Sequence, residues 1–459
     1  MNSLLQYIEL YESNADALDR HSAGALNAAR KGALELLRKA GRLTDTSDEG
    51  YAKTSVNDLF APDYGVNVTR VNIPADVAAS FRCGVPNLSS LLALTVNDRF
   101  FPTEQLVKNC PEGLTVCSLA RAAKEYPALV EKFYGRVAAA SGMDAPCALN
   151  TLLAQDGVFI HVGRGVHVAR PLQLVDIFSS PTPLLAARRV LVVAEEDSSL
   201  AILKCDHTQP GAAACLASEV IELSLARGAR VEWYDIEEAS DSTSRMAQFY
   251  ALQAEGTGLN ICASTLTNGS TRNEFRIRTE GEHTHTSLHA MAIGSGTQHI
   301  DNFSSVIHSA GHAHSRQLFK YVLDEKATGA FEGGIEVCPG ARFVEAYQSN
   351  RNILASAGAR MHSMPQLLIY NDDVKCSHGA TTGQLDADAL FYMQTRGIPA
   401  AEARRMLMQA FMIDVIDSIE LIQLRDRLRH MVERRFSGAA DCGSCASCAN
   451  ASSDRGDDE

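Results

Sequence analysis

No apolar run in the chain approaches the ~20 residues needed to cross a bilayer. The opening segment, MNSLLQYIELYESNADALDR, lacks the basic start and small-residue cleavage site of a secretion signal. A cytoplasmic protein is the expectation. There is no long basic run either, and the formal charge is −13. Phosphate neutralisation needs clustered Lys and Arg, so neither nucleic acid nor an anionic membrane surface is an expected partner. The GxxxxGKS/T phosphate loop and the GxSxG elbow are absent, and the GSG of IGSGTQH lies among strand-like runs. No bound nucleotide is therefore expected on this chain. Trp233 is the sole tryptophan, a poor start for a sugar-binding platform. Asp372 and Asp373 are neighbours, would face opposite ways on a strand, and make a poor glycosidase acid–base pair.

What is present is an ordinary globular composition, 46% apolar and 21% charged, over 459 residues, long enough for more than one structural unit. Over the first 40 residues, SLLQYIELY and AARKGALELLRKAGRL space apolar residues three and four apart, as amphipathic helices do. Residues 44–66 are polar and loop-like, and 111–141 return to helical spacing from Leu114 to Val137. Near Gly157 the character changes. GVFIHVG, VLVVAEE, LAILKCD, VIELSLA, VEWYDIE and LNICAST are short runs rich in Val, Ile and aromatics, punctuated by Gly, Asn, Asp and Ser. One segment there, SRMAQFYALQAEG, reads as a helical interruption. Strands at such short intervals fit a sandwich, a barrel or a parallel solenoid.

After Gly383 helical spacing resumes. DADALFYMQTRG has Asp386 as N-cap and Gly397 beyond its end. IPAAEARRMLMQAFMIDVIDSI has Pro399 near its first turn and a stripe of Met406, Leu407, Ala410, Phe411 and Val415. IELIQLRDRLRHMVERRF forms a third helix. The expected units are 1–150, helical and mixed; 151–383, strand-rich; 384–436, helical; and 437–459, a flexible acidic tail of small residues.

Of the twelve cysteines, nine are spread singly between Cys83 and Cys376, where buried reduced thiols are the expectation. In NDDVKCSHGATTG an extended backbone would point Cys376 and His378 to one side. Thiolate and imidazole are ligands for zinc, iron and iron–sulfur clusters, and equally a nucleophile and its base. Two donors do not close a four-coordinate site, and a buried cysteine beside a hydrogen-bonded histidine is the plainer account. GEHTHTSLH and HSAGHAHS would place His283, His285 and His289 on one strand face, and His312 with His314 on another. This is either a metal-handling face or a polar exterior, and no HExxH spacing accompanies it. The tail CGSCASC spaces Cys442, Cys445 and Cys448 three apart, compatible with soft-metal or cluster ligation but lacking a fourth ligand.

From about 230 to 415 the chain resembles the SufB/SufD family of iron–sulfur cluster assembly scaffolds. The likeness is densest in QHIDNFSSVIH, SRQLFKYVLDEKATGAFEGGIEV and AYQSNRNILASAGARMHSMPQLLIYNDDVKCSHGATTGQLDADALFYMQTRGI. FYALQAE and LTNGSTRNEF extend it upstream. The pattern is of the SufD kind. The cysteine that the SufB pattern places six residues before the proline of AHTxP is Ala359 here, counted back from Pro365, whereas His362 keeps the family histidine. The HEATTS of SufB reads SHGATT, with Gly379 for the glutamate. The resemblance implies a right-handed parallel β-helix flanked by N-terminal and C-terminal helical regions, without catalytic residues. It implies edge-to-edge pairing with a SufB-like subunit, or a homodimer in isolation. It implies docking of a SufC-like ABC ATPase on the C-terminal helices through Phe391, Tyr392, Arg396, Leu407 and Phe411. A transient iron or iron–sulfur cluster would lie at the SufB interface, with His378 and Cys376 as this chain's ligands. CGSCASC lies outside the family pattern. The alternatives are a stand-alone metal-binding protein using the histidine face, and a β-helix carbohydrate-active enzyme.

Overall fold

The computed structural model describes residues 2–67, 85 and 88–438. From Leu172 onward the chain winds as a parallel β-solenoid. Successive strands alternate between two ten-stranded sheets, so each coil adds one strand to each. The first sheet ends with Thr328–Val337 and Arg360–Ile369, the second with Glu345–Leu354 and Lys375–Gly383. Among the described residues, antiparallel pairing occurs only at the opposite end, where Leu114–Ser118 meets Val158–Val162 and Leu91–Val96 meets Arg99–Pro102.

Over much of their length both faces of the sheets are covered, which explains the consecutive apolar runs in the sequence. One side of each strand fills the space between the sheets: Ile202, Ile221, Trp233, Phe249, Phe319 and Phe331 lie there. Behind the first sheet, N-terminal helices Ser3–Arg20, Gly24–Ala40 and Ala145–Leu153 bring Leu4, Leu37 and Leu149 against Leu185, Leu216 and Met246. Behind the second sheet, Ala400–Ile416 and Ile422–Ser437 bring Met408, Met412 and Leu428 against Tyr234, Met291 and Val322.

The interior also carries buried ions. Lys204 Nζ lies 3.0 Å from Asp206, 3.1 Å from Glu219 and 3.2 Å from Asp176. Arg188 and Arg245 join the same carboxylates and Asp235. Burial pushes the carboxyls of Glu219 and Glu237 up to about 7.

Three sequence expectations change. SRMAQFYALQAEG is not helical: Thr243–Gln253 is a strand whose two covered faces both carry apolar residues, which imitates helical spacing. The stretch at 111–141 begins with a strand before its short helices. In Ala400–Ile416 the buried face is Ala403, Met408, Met412, Val415 and Ile416. Met406 is exposed, and Leu407 and Phe411 are half-buried. Asp386 and Gly397 fall as expected: the Asp386 carboxylate accepts from the N–H groups of Asp388 and Ala389 at 2.9 and 3.1 Å, and Gly397 has φ 88°.

Candidate functional site

The last coil sits at the open end of the solenoid. Along the second sheet Ala346 pairs with Cys376, Gln348 with His378, Asn350 with Ala380 and Asn352 with Thr382. In the penultimate strand these partners are buried interior residues. The same row of the last strand therefore faces inward, with no coil beyond it among the described residues. Cys376 packs half-buried beside Leu367 and Val374, and burial raises its thiol pKa. His378, one step along the row, is exposed.

The floor beneath His378 is amide-lined rather than aliphatic. Gln348 Nε2 donates to Gln317 Oε1 at 3.2 Å, and Ser304 Oγ donates to the same oxygen at 2.7 Å. A Cβ at Gly333 would lie 2.4 Å from Gln348 Nε2, so this glycine makes room for the amide column. Asn352 Nδ2 reaches Ser363 Oγ at 3.2 Å and Thr382 Oγ1 at 3.0 Å, tying both terminal strands together.

Strand alternation defines the free edge. Lys375 N–H donates to Val344 O at 2.9 Å. Odd-numbered residues of Lys375–Gly383 thus turn their N–H toward the neighbouring strand, whereas Cys376, His378, Ala380 and Thr382 turn theirs outward. In the other sheet Arg360 N–H donates to Ala327 O at 3.0 Å. Pro365 therefore occupies an outward-facing position, where its missing N–H costs the chain no ladder bond. An unpaired edge of this kind is a template for another chain.

Among the described residues, no group of three or more His, Cys, Asp or Glu side chains is arranged to hold a metal ion. Cys376 and His378 are two donors of an incomplete set. His362 is separate from them, on the outer face of the first sheet above Ala330. It lines a cleft of about 340 Å³ with Lys53, Asp301, Glu332 and Met364. Burial, then Lys53, lowers its pKa. Ala359 is buried in the core. Cys442, Cys445 and Cys448 lie outside the described residues.

Helix Ala387–Thr395 buries none of its residues, leaving Phe391 67% and Tyr392 59% exposed. Arg396 lies over the Tyr392 ring at 5.1 Å and donates to its hydroxyl at 2.9 Å. Phe411 is held differently: its carbonyl oxygen accepts from buried Lys320 at 2.7 Å, and Lys320 also meets Asp414 at 2.5 Å. Sequence reasoning missed this lysine clamp, although a lone Lys in QLFKYVL was its signal. It also missed the cover over the first sheet, where Arg272 donates to Gly50 O at 2.6 Å.

A family profile described as "SUF system FeS cluster assembly, SufBD core domain" matches residues 178–411, and "SufBD protein N-terminal region" matches 1–174. The chain belongs to the SufBD family. It is 28% identical to an iron–sulfur cluster assembly SufBD family protein of Synechocystis sp. over 415 residues, 88% of this chain and 90% of that one. It is 26% identical to the iron–sulfur cluster assembly protein SufD of Bacillus subtilis, over 71% of this chain and 74% of the relative. With SufD of Escherichia coli the identity is 31% over 37% and 40% of the two chains. The SufBD core match spans the solenoid from Phe178 and runs into helix Ala400–Ile416. Among the described residues, no helix is long and apolar enough to cross a membrane.

Proposed function

We propose that the chain is a SufD-like, cytoplasmic subunit of a SufBCD-type complex. It pairs with a SufB-like scaffold through the open end of its solenoid and carries a SufC-like ABC ATPase on its C-terminal helices. At the paired end it contributes His378 and Cys376 to a shared site where iron is acquired and iron–sulfur clusters are assembled. The chain supplies surface and ligands, not a catalytic group. In this division of labour, residues 151–383 serve subunit pairing, 384–436 serve ATPase docking, and the cysteines of 437–459 serve as an accessory metal or cluster carrier.

One observation carries the reading. Among the described residues, an inward-facing row holding a thiol and an exposed imidazole is left uncapped, between two strand edges whose outward N–H groups have no neighbouring strand. A second chain meeting this end would satisfy the edges and complete the ligand set together. Helix Ala387–Thr395, which has no buried residue and exposes Phe391 and Tyr392, is the matching support for the ATPase. Alone, two copies would meet through the same ends as a homodimer.

The test is co-expression with a SufB-like chain and a SufC-like ATPase. Wild type should co-purify with both and support cluster build-up. The His378→Ala variant should keep the assembly and lose the clusters. Clusters formed normally by that variant would remove the ligand role, and no affinity for either companion would remove the whole reading.

A further inference from the structure

Of the histidines between 283 and 314, His285 and His289 share the outer face of strand His285–Gly294 as alternation predicts, but His283 and His312 do not lie on strands. His283 and His312 sit at solenoid corners with φ of 58° and 54°, their rings stacked 5.0 Å apart. His285 and His314 instead open two neighbouring parallel strands of the second sheet, paired directly across. Both lie on the outer face, because the adjoining Thr286 and Ser315 point inward and are buried.

The pair has the geometry of a two-imidazole chelate. Its ring centroids are 6.1 Å apart with planes at 89°. Two imidazoles sharing one ion through bonds of about 2.1 Å hold their centres about 5–6 Å apart, so a small side-chain rotation suffices. The tautomer is already set on one side. His314 Nδ1 lies 3.1 Å from the Glu345 carbonyl oxygen and donates to it, leaving Nε2 with a free lone pair. Burial, then His314, Arg230 and His283, lowers the His285 pKa, which keeps that ring in its ligating neutral form. His285 is exposed and His314 half-buried, so water can fill the remaining positions. The Glu345 carboxylate is engaged with Lys375 at 2.7 Å and is not counted as a ligand.

We propose that His285 and His314 clamp a divalent first-row transition-metal ion on the outer face of the second sheet, with water completing its shell. The site is independent of the open end: His314, Glu345 and Lys375 follow one another along the sheet, and the terminal strand is two strands away, about 10 Å.

Ni²⁺ is the probe, because imidazole sites bind it more tightly than Fe²⁺. It is titrated calorimetrically into the untagged full chain at pH 7.5. Thiols of the chain also take Ni²⁺, so differences between variants are what is read. His285→Asn and His314→Asn should each lose one equivalent, or weaken it about tenfold or more, with unchanged melting temperature. His283→Asn should keep it. Lowering the pH should weaken uptake of the same equivalent, because protons compete with the metal for imidazole nitrogens. In wild-type protein, Ni²⁺ should selectively broaden the imidazole C–H resonances of His285 and His314, a readout that needs no variant. Undiminished uptake by both Asn variants overturns the proposal, as does broadening confined to other histidines.

Discussion

Replacing Ala380 with proline separates the free edge from the fold. The Ala380 N–H faces outward, so Ala380→Pro removes no ladder bond within the chain, whereas Thr381→Pro, one residue on, removes one directed at Glu345–Leu354. If a SufB-like strand pairs with Lys375–Gly383, Ala380→Pro leaves one partner carbonyl buried without a donor. Such a loss costs about 1–3 kcal/mol, which is about 5- to 140-fold in Kd. The intrachain bond lost in Thr381→Pro carries the same cost, but it appears as stability. The assay is a titration of each variant with the SufB-like chain, alongside thermal melting. Ala380→Pro should melt near wild type and bind weakly; Thr381→Pro should melt early. A wild-type Kd for a folded Ala380→Pro would refute edge pairing through this strand, whatever the role of His378.

Combining Phe391→Ala with Tyr392→Ala should abolish pull-down of the SufC-like ATPase without lowering the melting temperature, since both side chains are exposed; undiminished capture counts against docking there. Lys320→Met removes the contacts to Phe411 O and Asp414 and should weaken the seating of Ala400–Ile416 by about 1.5–3 kcal/mol, read as faster amide exchange in that helix. Glu219 and Glu237, raised to about 7, hold protons in the folded state that the unfolded chain releases above about 4.5. Their contribution to stability is therefore full below about pH 4.5 and lost as pH rises through about 7. Urea unfolding at pH 5.5 and 7.5 should show that fall, and Glu219→Gln with Glu237→Gln should flatten it.

Much of this architecture was legible beforehand because strands covered on both faces announce themselves as consecutive apolar runs, VLVV among them. The Asp386 cap was equally plain, since an N-cap is a local chemical requirement. Period-two alternation put Cys376 and His378 on one side. It could not reveal that they lie on the last coil, which depends on where the solenoid stops. SRMAQFYALQAEG misled for the reason VLVV informed: two covered faces erase the strand's alternation. The interior ions were written in the sequence as Lys204 and Asp206, two apart within LAILKCD, yet their partners Glu219 and Asp235 come from other strands. His283 and His312 escaped alternation because corners obey turn geometry instead.

A solenoid also decides which chemistry it displays by its winding number. Every coil offers its successor the same inward row, and only the final one shows that row to the outside. Stopping one strand earlier on the second sheet would present Ala346, Gln348 and Asn350 in place of Cys376, His378 and Ala380, an inert amide surface of nearly unchanged shape. Shortening or lengthening such a protein by whole coils would thus exchange its docking chemistry while leaving its core intact.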